Sequence, residues 1–590
     1  MKIIEIIIRF CQRLMEALGG AIPSNVILNK TICGCGATYS EIKAPRNSII
    51  IEPNVPVIRG KEKDHPEVMG VYEGRNKKHV IKYLREAKGY KKLITTPESF
   101  LKIKKAMLEM GIDMYEDYFL LFDECERIIQ DVGYRGSIAL PMDEFFKFRN
   151  KAMVSATPLM PSDPRFVQQN FKILKLTPDY DYKQEIELVT TNNIVAVLRT
   201  QFALWSGEKP LFIFLNSTDT IHNIICTFEL QNRSKVFCSD KSVRKLRDDL
   251  GYPEAYSEIT DFAEFNFFTS RFFSAVDIRL DYQPNVIIIS DVFRAKQSML
   301  DPKTEITQIL GRFRNGVGKR VHIANHDSRI KWLSKKNMRE YLESCEKFYE
   351  TVDDIQVNTC GQGAIKSKKQ AKEGMDYHNF VKKDGTRNYF MWDNAHDDER
   401  IKSYYYDVGH LLAAYKNSPL IAIHREMNSP LGDEDRLRRT KPKMSFHDLC
   451  KELVRELNIL QKNLSDVEYP YLMNEVKQCC EFIVDAYFIL GAEKLVELDF
   501  NKSKIKKALG KYEYNVRFED EKILNAVYSR FNVDDVVAVS EVTEFFKRLV
   551  KDFAIPYEGA YNSSLMKRYF EFTESRTSSE RRIKLTKRLL

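Results

Sequence analysis

Two adjacent carboxylates, Asp123 and Glu124, follow directly on the apolar run "YFLLF" (118–122). A carboxylate at a strand end can hold Mg²⁺, directly or through water, while its neighbour polarises an attacking water. The same pair could equally open a helix as N-cap and first-turn residues. A second group lies in "TICGCGATYSEI" (31–42), with glycines at Gly34 and Gly36 and hydroxyls at Thr38 and Ser40. Backbone N–H groups from Gly34 through Cys35, Gly36 and Ala37 to Thr38 can cradle a phosphate whatever their side chains, and Thr38 brings a hydroxyl suited to Mg²⁺. A loop of this kind normally carries a lysine directly after its last glycine. Here that position is Ala37, and the nearest cations in sequence are Lys30 and Lys43.

A third group lies in "EITQILGRFRNG" (305–316), which holds Gln308, Gly311, Arg312 and Arg314. A planar guanidinium reaching across a cleft neutralises charge that develops in phosphoryl transfer; a solvated basic face is the alternative. "VSATP" (154–158) supplies Ser155 and Thr157, either as hydroxyls coupling a nucleotide site to a bound strand or as an ordinary turn closed by Pro158. "FFTSRFFSAVDI" (267–278) places Thr269, Ser270 and Asp277 near the same cleft.

The elements that must position these residues are two series of short apolar runs. The first comprises "NVILN" (25–29), "SIIIEP" (48–53), "KLITT" (92–96), "YFLLFDE" (118–124) and "AMVSAT" (152–157). The second comprises "PLFIFLN" (210–216), "SKVFCSD" (234–240), "EFNFFTS" (264–270), "NVIIIS" (285–290) and "RVHIAN" (320–325). Continuous apolar strands alternating with amphipathic stretches predict parallel sheets covered on both faces, and ligands in such sheets sit at the carboxyl ends of the strands. The fold class expected is therefore α/β, two tandem parallel-sheet domains, followed by a mainly α-helical C-terminal region, because "KWLSKKNMREYLESCEKFYETV" (331–352) and "FHDLCKELVRELNILQKNL" (446–464) space their apolar residues at helical intervals. The expected boundaries are an N-terminal amphipathic helix over 1–23, domain one over 24–177, a polar connector over 178–190, domain two over 191–330 and an accessory region over 331–590. Within the last, "TCGQGAIKSKKQAKEGMD" (359–376) reads as a loop or linker and "RRIKLTKRLL" (581–590) as a basic helix or tail.

In order and approximate spacing these segments resemble the motifs of superfamily-two helicases and translocases of the DEAD/DEAH-like kind, which carry two RecA-like domains in tandem. "GCGAT" is similar to motif I, the Walker A phosphate loop, in a degenerate form without its lysine. "IIIEPNVPVI" (49–58) resembles motif Ia, "TTPESF" (95–100) motif Ib, "DECE" (123–126) motif II and "SATP" (155–158) motif III. "LFIFLNST" (211–218) resembles motif IV, "FTSRFFSAVDI" (268–278) motif V and "QILGRFRNG" (308–316) motif VI. The resemblance spans roughly 24–326. It implies ATP bound with Mg²⁺ between the two domains, Thr38 and Asp123 on the metal, and Asp123, Glu124, Gln308, Arg312 and Arg314 in catalysis. It further implies Ser155, Thr157 and Asp277 in coupling, and nucleic acid across both domains near Thr96, Ser99, Asn216, Ser217 and Thr269. Motif II ends in Glu126 where relatives carry His or Asp, Asn315 fills the usual place of the second motif VI arginine, and motif V has Ala275 where glycine is common.

Lys and Arg exceed Asp and Glu by 92 − 83 = 9, a mild basic excess compatible with a nucleic-acid partner, with DNA expected over RNA. The eleven cysteines form no CxxC pair and read as reduced thiols of a cytoplasmic protein, and no run approaches the ~20 apolar residues of a membrane span. In the accessory region "MWDNAHDDER" (391–400) reads as a metal cluster or a solvated acidic loop, and "SYYYDVGH" (403–410) as a base-stacking platform or a helix packing edge. Protein partners would bind through this region. The function expected is an ATP-dependent helicase or translocase; the rival is a helicase-fold clamp or assembly factor that binds nucleic acid without turnover, to which Ala37 points.

Overall fold

The computed structural model describes residues 1–590 except 11, 206, 208, 275–276, 356–361, 558, 577–579 and 590, so Ala275 lies outside the described residues. The chain forms two compact units, Met1–Asn428 and Ser429–Leu590.

The first unit contains two eight-stranded, all-parallel sheets. Sheet one comprises β1 (Lys2–Ile8), β2 (Val26–Asn29), β3 (Ser48–Ile51), β4 (Val68–Val71), β5 (Lys92–Thr95), β6 (Phe119–Asp123), β7 (Asn150–Ser155) and β8 (Lys172–Pro178), in the order β1-β8-β2-β7-β6-β3-β5-β4. Strands β2 to β7 are buried on both faces, as their uninterrupted apolar runs require, whereas β1 is largely exposed. Leu120 and Phe122 of β6 enter one core cluster with Ile49 and Ile51 of β3, while Phe119 and Leu121 enter the opposite cluster with Ile50. This is the two-residue alternation of a pleated strand. The order makes β2, β7, β6 and β3 consecutive neighbours, so their carboxyl ends lie side by side.

Sheet two comprises β9 (Gln184–Thr190), β10 (Leu211–Phe214), β11 (Ser234–Phe237), β12 (Ala255–Tyr256), β13 (Phe265–Phe268), β14 (Asn285–Ser290), β15 (Arg320–Ala324) and β16 (Leu420–Glu426), in the order β12-β11-β13-β10-β14-β15-β9-β16. Val286 and Ile288 of β14 face one core and Ile287 and Ile289 the other.

Several expectations are corrected. The N-terminus is not a helix over 1–23: Lys2–Ile8 is an edge strand paired in parallel with β8, followed by a short helix at Leu14–Ala17. Its isoleucines are β-branched and favour a pleated edge, and Glu5 meets Lys175 across the pair at 3.1 Å. The connector over 178–190 is shorter than expected, because Gln184–Thr190 alternates Ile186 and Leu188 with polar residues and inserts as β9 between β15 and β16. The region after 330 is mainly helical, as expected, but it is divided between the two units. Helices Lys335–Asp354, Gln362–Glu373, Tyr389–Tyr404 and Val408–Lys416 and strand β16 belong to the first unit. Most of the stretch read as a Gly- and Lys-rich linker is the helix Gln362–Glu373, rich in Ala, Lys and Gln, all good helix formers; 359–361 lie outside the described residues.

The acidic cluster 391–400 lies within the helix Tyr389–Tyr404 rather than in a loop, and no group of three or more His, Cys, Asp or Glu suited to a metal occurs among the described residues. Tyr405 is fully buried and its hydroxyl bonds Ser290 and the Leu300 carbonyl, which makes it a core residue rather than a stacking platform.

The second unit is mainly helical, with Phe446–Gln461, Tyr469–Cys479 and Glu481–Leu490 packed around Leu453, Leu457, Val476 and Ile483. It closes with a three-stranded antiparallel sheet of β17 (Val536–Ala538), β18 (Phe570–Arg576) and β19 (Arg581–Arg588), ordered β17-β19-β18. The basic end is thus a strand: Ile583 and Leu585 are buried while Arg582, Lys584 and Lys587 are exposed. Among the described residues no helix is long and apolar enough to cross a membrane.

Candidate nucleotide cleft

The carboxyl ends of β2, β3, β6 and β7 deliver Lys30, Glu52, Asp123 with Glu124, and Ser155 with Thr157 to one place. The loop after β2 turns through Gly34 (φ 81°) and Gly36 (φ 86°), both in the left-handed region that favours glycine, and runs into the helix Ala37–Lys43. At the end of β6, Glu124 itself adopts φ 46°, a conformation that costs a non-glycine residue energy and is concentrated at functional sites.

Lys30 is buried, and its Nζ lies 3.3 Å from Asp123 Oδ1 and 3.7 Å from Glu124 Oε1. Burial opposes its charge, but Asp123 and Glu124 outweigh burial and hold the ammonium protonated far above the usual lysine range. Asp123 is affected in the complementary sense: burial raises its pKa, while Lys30 and hydrogen bonds from Thr38 and the Glu124 N–H bring it below the ordinary carboxylate value. Lys43, the other sequence candidate, is exposed and paired with Glu67 at 2.7 Å, outside the site. Ala37 itself is buried and packs in the core cluster with Leu28 and Ile50.

Thr38 Oγ1 donates to Asp123 Oδ2 at 2.5 Å and lies 3.4 Å from Glu52 Oε1. Hard oxygens from one hydroxyl and one carboxylate are a donor set that fits Mg²⁺, which keeps several waters and takes few protein ligands beside substrate phosphates. Burial, followed by the charges of Asp123 and Glu124, pushes Glu52 well above the usual carboxylate range. Sequence reasoning missed Glu52; its position at the end of a strand neighbouring β6 was the available signal. The thiols of Cys33 and Cys35 are pushed up by burial, Cys35 to about 11, so neither is a thiolate at neutral pH.

Domain two closes the opposite wall. Gln308, buried, donates from Nε2 to Glu124 Oε2 at 3.1 Å, Glu126 Oε1 at 3.3 Å and Thr157 Oγ1 at 3.2 Å. Its Oε1 accepts from Arg312 at 2.7 Å, so the buried Arg312 guanidinium is aimed by the same glutamine. Ile278 and Phe313 form a parallel bridge that sets Asp277 beside Arg314, and the two side chains form an ion pair. A Cβ at Gly34 would overlap the Arg314 guanidinium, and one at Gly311 would overlap Cys33, so the phosphate-type loop and the arginine segment are in direct contact. Arg127, just after motif II, adds a 2.9 Å bond to Ser274 across the same interface. Burial, then Glu124, pushes Glu126 well above the usual carboxylate range, and its Oε2 has no hydrogen-bond partner among the described residues.

These walls enclose a cavity of about 520 Å³ with Lys30, Gly36, Thr38, Asp123, Glu124 and Arg312 on its lining. Of the sequence-predicted residues of the loop and of catalysis, Gly34, Gly36, Ala37, Thr38, Asp123, Glu124, Arg312 and Arg314 line the cavity together with the coupling residue Asp277, Gln308 bridges to Glu124 beside it, and Cys35 is not on the lining. The fold is two tandem RecA-like domains facing one cleft. Of the residues expected along a strand, Thr96, Ser99 and Thr269 are buried rather than presented at a surface. Asn216 and Ser217 are half-buried, bonded to the Gln297 carbonyl and as the N-cap of Thr218–Thr227 respectively.

A scan against protein-family models finds no match, and a search of curated proteins finds none. Among solved structures, the Mycobacterium smegmatis helicase Lhr bound to ssDNA and AMP-PNP is 13% identical with a TM-score of 0.34, over 57% of this chain and 47% of that one. S. cerevisiae Dbp5 bound to RNA and ADP BeF3 is 14% identical with a TM-score of 0.34, over 60% and 89%. The ATP-dependent type ISP restriction-modification enzyme LlaBIII bound to DNA is 13% identical with a TM-score of 0.35, over 89% of this chain and 38% of that one. The chain thus spans less than half the length of Lhr and of LlaBIII. Likenesses of this extent leave the functional reading to rest on the chain's own topology and cleft.

Proposed function

We propose that the protein is an NTP-dependent nucleic-acid translocase of the helicase type that hydrolyses ATP in this cleft, with Lys30 supplying the charge that Ala37 does not. The observation that carries this reading is the Lys30 ammonium held between Asp123 and Glu124, facing Arg312 and Arg314 in one cavity. A disabled site has no need of a buried cation beside its acids, because desolvating three charges is costly and a better-packed apolar group would serve stability as well.

In this reading the loop N–H groups from Gly34 to Thr38 bind phosphate, and Thr38 and Asp123 hold Mg²⁺, which when bound neutralises phosphate charge. Glu124 accepts the proton of the attacking water. Lys30, Arg312 and Arg314 are pre-positioned cations for the charge that develops on the transferring group. Gln308 ties Glu124 to Glu126 and Thr157, so that movement of domain two registers at the base. A neighbouring cavity of about 310 Å³ shares Gly34 and Arg314 and is lined by Tyr182 and Phe313, a fitting place for the base of the nucleotide. Closing and opening of the cleft would step the two domains along a strand, with Asn216 and Ser217 the expected contacts still part-exposed.

One observation favours the non-hydrolysing clamp instead: Gln308 already occupies Glu124 in a closed cleft. Phosphate release stimulated by single-stranded nucleic acid, DNA compared with RNA, separates the two readings when wild type is set beside Glu124→Gln. Turnover no higher than the variant's would leave the clamp.

A further inference from the structure

A cavity of about 620 Å³ lies apart from the cleft, walled by residues 159–162, which follow β7, and by the helices Lys335–Asp354 and Tyr389–Tyr404. Its volume is that of a small-molecule site. Lys335 and Arg339, one turn apart at the start of the first helix, are exposed on its rim and make no ion pair among the described residues. They stand at the positive end of a 20-residue helix, which adds to the attraction for an anion.

Aromatic surface accompanies this charge. Trp332 is 36% exposed, and the Arg387 guanidinium lies 4.0 Å over the Trp392 ring and 5.6 Å from that of Tyr389. His396 lines the cavity with its Nδ1 buried and lacking a hydrogen-bond partner among the described residues. Burial, then the charges of Lys335 and Arg339, keep this imidazole neutral, able to accept or donate. The acids on the wall are largely committed: Asp393 accepts from the Ser162 N–H at 2.8 Å, Asp397 pairs with Arg400, and Glu399 pairs with Lys402 at 2.6 Å. Glu343 and Asp393 make no ion pair among the described residues and Arg387 is paired with Glu346, so Lys335 and Arg339 are the unpaired cations of the lining, gathered together on its rim.

We propose that this cavity is a second, non-catalytic site for a nucleoside phosphate, with the phosphate on Lys335 and Arg339, the base stacked on Trp332 or on the Arg387 and Tyr389 planes, and His396 hydrogen-bonded to it. Base–aromatic stacking is tolerant of sequence and, with a basic rim, is how single strands are held without base readout. The moiety is either one nucleotide of a bound strand, which extends the nucleic-acid reading given above, or a free mononucleotide.

The chain's own tryptophans report on the site. Of the three, Trp332 and Trp392 line this cavity, Trp205 is buried in the core of domain two, and none lines the cleft. Emission is titrated with a short oligothymidylate and, separately, with thymidine monophosphate, without Mg²⁺. The expected result is saturable quenching that is largely lost in Trp332→Phe. In the Lys335→Glu/Arg339→Glu variant, whose substituted side chains are exposed, affinity falls at least tenfold while the thermal melt is unchanged. Quenching by the oligomer alone assigns the site to a strand; quenching by both ligands assigns it to a free nucleotide. Absence of quenching by either, or equal affinity in the double variant, overturns the proposal. Lys30→Ala retains the quenching, so a failure of ATP turnover and a failure of this site are told apart.

Discussion

Replacing Lys30 by alanine has two consequences that can be worked from the geometry. At 3.3 Å and 3.7 Å from its two carboxylates, the ammonium gains about 5 and about 4.5 kcal/mol of gross attraction at an effective dielectric constant of about 20. Most of this is offset by desolvation of the three buried ions, so the triad's net contribution is small. Removing the cation alone is different: it strands Asp123 and Glu124 without compensation, at a cost of about 3–5 kcal/mol. The sign with pH follows from Asp123, whose folded-state pKa lies below the ordinary value. The stability its ionisation contributes is present above the unfolded pKa and lost as pH falls through the folded one. The deficit of Lys30→Ala is therefore largest at neutral pH and shrinks in acid. Mg²⁺ raises the melting temperature of the variant more than that of the wild type, because it restores positive charge beside Asp123. For catalysis, losing one pre-positioned cation lowers kcat by about 10²–10³. Melts with and without Mg²⁺ and steady-state phosphate release measure both effects. Hydrolysis at the wild-type rate in Lys30→Ala, with the stability loss present, would refute the catalytic role and leave Lys30 a counter-ion only.

Three further outcomes are expected. Adding Ala37→Lys to Lys30→Ala restores at least a tenth of wild-type turnover, because the usual loop position then carries the charge; in the wild-type background the same change sets two ammonium groups against each other and lowers turnover. Gly311→Ala forces the arginine segment off Cys33 and holds the cleft open, seen as at least a tenfold loss of phosphate release with a larger radius of gyration in solution scattering. Glu305, whose pKa is raised by burial, then by Asp301, to about 7, favours the folded state in its protonated form. Stability is thus greatest below about 4.5 on its account, falls as pH rises to about 7 and levels off above, by at most about 3 kcal/mol; Glu305→Gln flattens that part of the profile, measured by denaturant unfolding across pH.

Much of the site was legible in the sequence because parallel strands advertise themselves as apolar runs and place chemistry at their ends. Asp123, Glu124, Thr38, Arg312 and Arg314 are singled out by their strand-end positions together with the resemblance to helicase motifs, and they line one cavity. What could not be read depended on spatial neighbourhood. Lys30 and Lys43 are equal candidates in sequence, and Lys30 becomes part of the site because β2, β7 and β6 are adjacent. Glu52 enters through the adjacency of β3 and β6 in the same way. Two strands misled for a physical reason. Lys2–Ile8 has one side exposed, so its charges mimic an amphipathic helix, and Gln184–Thr190 carries glutamates that resemble a linker. The helix Tyr389–Tyr404 was hidden because its acids are half-buried and paired, as Asp397 is with Arg400, instead of lying on a solvated face.

The central claim is that this cleft turns over nucleotide without a lysine in its phosphate loop. Phosphate release in the presence of single-stranded nucleic acid, compared between wild type and Glu124→Gln, tests it most directly. The variant should be at least about 100-fold slower, the scale of a lost general base, while still binding nucleotide. Equal release by the two proteins would contradict it.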